Sequence, residues 1–153
     1  MPLIHLTTEI KAPIQVVFDL SRSIDFHQES VSETGEKAIA GRTSGLIELG
    51  ETVTWEAVHF KVKQQLTTKI TAMNPPYSFT DEMVKGIFKS LKHEHLFSEE
   101  NGITTMVDLF YFEAPLGLLG KLANILVLKK YMTHFLRVRN AAIKKSAVVF
   151  SIE

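Results

Sequence analysis

The stretch LKHEHLFSEENGITTMVDLFYF, Leu91 to Phe112, decides how this chain folds. Asn101 and Gly102 both tolerate the positive φ that a two-residue type I′ loop demands, so they mark the turn of a β-hairpin. With that loop, Glu100 lies opposite Ile103. The register then pairs Phe97 with Met106, His95 with Asp108, His93 with Phe110 and Leu91 with Phe112. One face carries those eight residues, apolar except for two histidines and an aspartate. The other carries Lys92, Glu94, Ser98, Thr105 and Glu113 beside Leu96, Val107, Leu109 and Tyr111, and is the solvent side. Polar groups on the inner face of a curved sheet point to a lined pocket rather than a plain core.

Outward from this hairpin, Leu3 to Lys11 alternates as a strand, and Ala12-Pro13 begins a short helix with Ile14, Val17, Phe18 and Leu20 at helical spacing. Ser21 to Glu36 is polar without a strong period, and reads as loop or short helix. Glu36 to Gly41 is a brief strand, followed by an irregular connection between Gly45 and Gly50. Glu51 to Met73 alternates again, with Val53, Trp55, Ala57 and His59 on one face. A turn near Lys61-Val62 pairs Trp55 with Thr68 and brings Leu66, Thr68, Ile70 and Ala72 onto the tryptophan face. Asn74-Pro75-Pro76 ends that run. Tyr77 to Val84 and Ile87 to Ser98 form a further hairpin around Lys85-Gly86, where the parity of Phe79, Asp81 and Met83 against Phe88 and Leu91 implies a bulge.

From Leu116 to about Lys145 the pattern is helical. Leu118, Leu122, Ile125 and Leu126 form one stripe, and Leu128, Tyr131, Met132, Phe135, Val138 and Ala142 form another, rotated by more than a quarter turn. The jump predicts a bend or break near Leu126, before a longer helix whose polar side holds Lys130, Arg137, Lys144 and Lys145. No repeat or low-complexity segment interrupts the plan.

A chain of 153 residues, 45% hydrophobic and 22% charged, fits a single domain over residues 1–153. No run reaches the roughly 20 apolar residues that span a bilayer. The opening Met1-Pro-Leu-Ile-His lacks an export pattern, so the expected location is the cytoplasm. The absence of cysteine removes disulfides, zinc-thiolate sites and cysteine nucleophiles together. Net charge is zero but uneven: residues 1–115 hold 16 acids and 10 bases, and residues 116–153 hold 1 acid and 7 bases. A basic C-terminal element docking on an acidic body accounts for this. A membrane contact is the alternative. Nucleic acid is not indicated, because the bases are scattered among apolar residues.

Strand, short helices, about six antiparallel strands and a long C-terminal helix make an α+β plan in which the helix covers one face of the sheet. With its particular residues, the chain resembles the START/Bet v 1-like superfamily, and within it the bacterial polyketide cyclase/dehydrase-like (SRPBCC) type. The resemblance spans nearly the whole chain. It is carried by Thr54-Trp55-Glu56-Ala57-Val58-His59-Phe60, by Gly86 with Phe88, by His93-Glu94-His95-Leu96-Phe97, and by Pro115-Leu116-Gly117-Leu118-Leu119-Gly120. It implies a helix-grip fold, a curved antiparallel sheet of about six or seven strands wrapped around a long C-terminal α-helix, with a cavity between them for an apolar or amphipathic molecule. Such families range from lipid carriage to aromatic ring closure, so the fold leaves the chemistry open.

The expected ligand-binding residues are Trp55, Leu66, Thr68, Phe97, Met106, Phe110, Phe112, Met132 and Phe135, with His59, His93, His95 and Asp108 giving orientation. Dense core is the alternative for the aromatic and methionine positions. His95 and Asp108 are the candidate catalytic pair of a cyclase or dehydratase, imidazole being the side chain most ready to exchange protons near neutrality. Equally, they satisfy each other across the hairpin. His93 and His95 point two rings to one side, but no third or fourth metal ligand is evident, and no metal or cofactor is expected. Arg139 lies on the apolar side of the helix, able either to meet an acidic ligand group or to snorkel. Neither a nucleophile elbow nor a phosphate loop occurs. The expected partner is a hydrophobic small molecule, bound by a non-enzymatic protein or turned over by an enzyme; the sequence leaves the oligomeric state open.

Overall fold

The computed structural model describes residues 3–59, 61–114 and 121–152, the side chains of 121–125 and 150–152 excepted. Seven strands, β1 (Leu3–Ile10), β2 (Lys37–Gly41), β3 (Thr52–His59), β4 (Val62–Asn74), β5 (Ser78–Lys85), β6 (Ser90–Glu100) and β7 (Ile103–Glu113), form one antiparallel sheet. Its order is β1-β7-β6-β5-β4-β3-β2. The helices α1 (Ile14–Ser21) and α2 (Ile24–Ser30) and a 3₁₀ turn at Ser32–Thr34 carry the chain from β1 to the far edge. The helix α3 (Lys121–Ile152) closes the concave side.

The β6–β7 hairpin has the register that its Asn-Gly turn demands, from Glu100 opposite Ile103 to Leu91 opposite Phe112. Asn101 and Gly102 take φ of 53° and 78°, the left-handed region of a type I′ turn. Along β7 every second residue is buried, and Leu91, His93, His95 and Phe97 of β6 face the same interior.

Three expectations are corrected. The β3–β4 turn lies between His59 and Val62, so Trp55 pairs with Leu66, and Thr68 with Val53. That shift of two residues preserves the face, because side chains alternate with period two. The irregularity assigned to the Lys85-Gly86 hairpin lies instead in the β4–β5 pairing, at Thr67/Thr68 and Ile70/Ala72. The second shift turns Ala72 outward, while Met73 packs against the core. Phe88 sits in the β5–β6 loop and so imposes no parity on the ladder. Within Ser21 to Glu36, read as loop or short helix, lies the short helix α2, whose N-cap Ser23 accepts a hydrogen bond from the Phe26 amide at 3.1 Å.

The third correction concerns α3, which is continuous through Leu126 and runs on past Lys145. Leu126 and Val127 simply lie exposed, so the jump in the apolar stripe marks a change of surroundings rather than a break. The buried line is Leu136, Arg139, Asn140, Ile143 and Ala147, with Val138 and Ala142 half-buried beside it. Leu116 to Gly120 lie outside the described residues. Lys130, Arg137, Lys144 and Lys145 are exposed as expected, yet among the described residues the ion pair from α3 to the sheet is Arg139 with Asp108. No helix among the described residues is long and apolar enough to cross a membrane.

Two apolar clusters fill the interior. One gathers Ile10, Val17, Phe18, Ile70, Phe79, Phe97, Met106, Ile143 and Ala147 around α1. The other gathers Ile4, Leu91, Phe110, Phe112 and Leu136. Between them three elements contribute polar groups: His93 and His95 on β6, Asp108 on β7, Arg139 and Asn140 on α3, all buried. A polar stratum thus crosses the middle of the molecule.

Candidate functional site

Where β3, β4 and β5 curve away from α3, a cavity of about 200 Å³ remains. Trp55, Leu66, Thr68, Phe79 and Asp81 form the sheet side, and Leu128, Tyr131, Met132, Phe135, Leu136 and Arg139 the helix side. His93, His95 and Phe110 complete the lining from β6 and β7, and half-exposed Ile87 marks the rim.

Among the expected site residues, Trp55, His59, Leu66, Thr68, His93, His95, Phe110, Met132 and Phe135 line this cavity. Phe97, Met106, Phe112 and Asp108 do not, although they share the inner face. Helix α1 covers one end of that face: Phe97 meets Phe18 edge to face at 5.5 Å, and the Ser21 hydroxyl lies 3.5 Å from the Met106 sulfur. At the other end Phe112 packs edge to face on Phe88. Asp108 is fully buried behind the histidines. An inward-facing position becomes cavity wall only where no helix packs on it.

The polar stratum forms the cavity floor, and its pairing differs from the expected His95–Asp108 bond. His93 Nε2 lies 2.7 Å from Asp108 Oδ1, and His95 Nε2 lies 2.8 Å from Asp81 Oδ2. Across the ladder His95 stands directly opposite Asp108, and His93 opposite Asp81, so each histidine reaches the diagonal carboxylate. Directly opposed Cβ atoms are only about 5 Å apart, too close for the far nitrogen of an imidazole, whereas diagonal neighbours at roughly 7–8 Å suit it. The two rings stack with centroids 3.7 Å apart, and Phe79 stacks on the other face of His95 at 4.0 Å.

Asp108 is held from three sides. Besides His93, the Asn140 amide donates to its Oδ2 at 2.7 Å, and Arg139 Nη1 lies 3.4 Å from Oδ1. Arg139 also donates to Asn140 Oδ1 at 3.0 Å and to the Ser21 carbonyl at 3.4 Å, and its Nη2 lies 3.5 Å from His95 Nδ1. It is buried, so the snorkelling alternative is excluded. Burial alone would raise the pKa of Asp108, but the bond from His93 and the charge of Arg139 outweigh it and hold the carboxyl well below the usual range. Asp81 is likewise lowered, since the His95 bond and nearby positive groups outweigh its burial. Burial, reinforced by His93 and only partly opposed by Asp81, brings His95 down to about 4. At neutral pH His95 is therefore neutral, donating from Nε2 to Asp81 and accepting at Nδ1 from Arg139.

Two further polar pairs border the apolar walls. His27 Nε2 lies 2.7 Å from Glu36 Oε1, and its ring leans on Trp55 at 4.4 Å. His59 Nδ1 meets the Tyr131 hydroxyl. Burial lowers the His59 pKa and raises that of Tyr131.

Asp81, His27, Glu36, Tyr131 and Asn140 are not among the residues expected from sequence. Asp81 has a signal in the alternation Phe79-Asp81-Met83, and Arg139-Asn140 in a polar pair interrupting an apolar stripe. His27 and Glu36 have none, because α2 brings them together.

The fold does supply a third donor to the two histidines, since Asp81, His93 and His95 offer ligand atoms within 4.8 Å of one another. The two imidazoles are stacked, however, with centroids 3.7 Å apart and planes at 29°, so their ring planes do not meet at a point between them. A single ion at about 2.1 Å from each nitrogen would require one ring to rotate out of the stack.

No protein-family profile matches the chain, and no curated protein sequence does. Solved structures do. A protein from Thermus thermophilus superposes with a TM-score of 0.73 at 16% identity, over 95% of this chain and 99% of that one. A START superfamily protein from Mycobacterium smegmatis gives 0.71 at 11% identity, over 95% and 96%. A major latex-like protein of Panax ginseng gives 0.67 at 16%, over 96% and 97%. The chain has the helix-grip fold of START and Bet v 1-like proteins.

Proposed function

We propose that this protein binds a hydrophobic or amphipathic small molecule between its sheet and α3. The observation that carries this reading is the cavity itself: apolar walls of Trp55, Leu66, Phe110, Met132 and Phe135, a polar floor of Asp81, His93, His95 and Arg139, and a few further polar groups at the borders. Ligand sites are built this way, apolar for affinity and sparingly polar for orientation. At about 200 Å³ it is smaller than the roughly 300–1,000 Å³ of drug-sized sites, so the ligand is compact or extends past Ile87. Ligand carriage in the manner of START and Bet v 1-like proteins is consistent with this shape.

Trp55, the single tryptophan, lines the cavity and reports on it directly. Denaturing extraction of the purified protein followed by mass spectrometry should release an apolar small molecule, and adding that molecule back should shift Trp55 fluorescence saturably. A protein that releases nothing and whose fluorescence answers to no apolar compound would sink the reading.

A second reading, acid–base chemistry of the polyketide cyclase/dehydrase type, is favoured by one feature. His93, oriented by buried Asp108, lines the cavity, while His95 is oriented by Asp81. The proton-transfer pair would then be His93–Asp108 rather than His95–Asp108. On that reading His93→Gln abolishes turnover of the bound molecule while changing its affinity little; equal loss of both assigns the histidine to packing.

A further inference from the structure

We infer that the cavity floor accepts the cationic head of an amphipathic amine. The inference rests on the small-molecule reading and adds the chemistry of the ligand's polar end.

Charge is the first ground. Asp81 and Asp108 bring two carboxylates to the floor, against the single guanidinium of Arg139. Both histidines turn Nε2 to a carboxylate, and His95, brought down to about 4 by its burial, adds no charge there at neutral pH. The nearest other charges do not correct this. Arg22 is engaged by Asp19 and Glu48, and Glu36 adds a further carboxylate beside His27. At the floor the permanently charged groups are thus two carboxylates, Asp81 in the lining and Asp108 behind it, against one guanidinium, and such a surplus calls for a positive partner.

Hydrogen-bonding capacity is the second ground, and it is independent of the charge count. His93 is 6% exposed and lines the cavity, yet its Nδ1 has no hydrogen-bond partner among the described residues. Asp81 uses Oδ2 for His95, while its Oδ1 has no such partner. The Asp81 position is an acceptor, and Asp81 lines the cavity. The donors of Arg139, by contrast, already face Asp108, Asn140, the Ser21 carbonyl and His95. A ligand head must therefore donate. An ammonium group supplies three N–H donors and the missing charge together. A hydroxyl supplies a donor without charge, and a carboxylate supplies neither while adding a like charge next to Asp81.

The test titrates the intact protein with octylamine, octanol and octanoate at pH 7, following Trp55 fluorescence and confirming by calorimetry. The three probes share a chain and differ only in the head. The expected order is amine, then alcohol, then carboxylate, with at least about a tenfold gap between the first and last. Asp81→Asn should shrink that gap severalfold, weakening octylamine more than octanol. Octanoate binding as well as octylamine, or a gap unaffected in a folded Asp81→Asn protein, overturns the inference and leaves the small-molecule reading intact. Failure of all three probes to bind overturns both. The wild-type order decides on its own if the variant does not fold.

Discussion

Replacing Arg139 with methionine tests the electrostatics of the polar stratum most directly. Methionine keeps much of the side-chain volume and removes the cation that faces Asp108 at 3.4 Å. At an effective dielectric constant of about 20, two unit charges at that separation attract by about 5 kcal/mol. Part of this is offset, because burying a guanidinium is itself costly. Removing one partner of a buried pair typically costs about 3–5 kcal/mol, most of it from the charge left behind. Asn140 Oδ1 and the Ser21 carbonyl lose donors too, at 3.0 and 3.4 Å, and the longer contact contributes little. The expected loss is therefore about 3–5 kcal/mol at pH 7, or roughly 6–20 °C in Tm for a chain of this length.

Urea unfolding at pH 7 and pH 5 supplies the assay, and the sign of the pH effect is the sharper part. In the wild type the Asp108 and Asp81 pKa values are depressed, so the stability they contribute is present above the unfolded value near 4 and is lost only below it. Without Arg139 both rise, and the unpaired carboxylates take up protons at higher pH. His95 rises as well, since Arg139 is one of the groups that lower it. All three changes favour the variant in acid, so its deficit relative to wild type narrows from pH 7 to pH 5. Adding Asp108→Asn should restore stability, with a coupling of about 2–3 kcal/mol. A loss below about 1 kcal/mol, equal at both pH values and additive with Asp108→Asn, would refute the reasoning.

Other outcomes follow from the same geometry. Because His95 falls to about 4 from an ordinary 6.5, it binds its proton more weakly in the folded than in the unfolded chain; stability is complete above about 6.5 and declines as pH falls through that window, a decline that urea titration should find reduced in His95→Gln. Met106 is wholly buried among core residues while Met132 lines the cavity, so Met106→Ala should cost about 2–5 kcal/mol in urea unfolding and Met132→Ala distinctly less, since no new void is enclosed; equal costs would argue that the cavity is collapsed in solution. Gly102→Ala meets nothing within 4 Å and should lose only the left-handed penalty of about 1–2 kcal/mol, whereas a Cβ at Gly41 would collide with the Thr52 carbonyl oxygen, so Gly41→Ala should cost more and disturb the β2–β3 edge in amide exchange.

How far the sequence can be read depends on whether an interaction is local. Asn101-Gly102 specifies its own conformation, and with it the whole β6–β7 register and the inward set from Leu91 to Phe112. The β3–β4 turn has no such signature, since Lys61 adopts φ of 63° without glycine, and pattern alone places its register two residues away. Bulges in β4 depend on how β5 docks, which local pattern does not encode. At the site, the facing of His93, His95 and Asp108 is legible, but their partners are not. Partner choice depends on the reach of an imidazole across a twisted ladder and on Asp81 arriving from β5. In α3 the periodicity is legible; which stripe meets core, cavity or solvent is not, because that depends on where the sheet curves away.

The polar stratum is not explained by stability. A buried charge network of this kind gains little over apolar residues of similar volume, and it makes every single substitution within it expensive. The two apolar clusters on either side could have been one, since β6, β7 and α3 bring aligned positions to the same depth. What distinguishes this layer is its place: Asp81, His93, His95 and Arg139 all reach the cavity, while Asp108 and Asn140 stand behind them as fixed supports. His93 is anchored from the side away from the cavity by Asp108, and Arg139 by Asp108 and Asn140. Such anchoring holds polar atoms in one orientation before anything binds, which is how a small site discriminates between ligand heads without first reorganising. On the proposed small-molecule reading, the stratum separates the two cores where the cavity needs a rigid polar floor, and its energetic cost belongs to recognition rather than to folding.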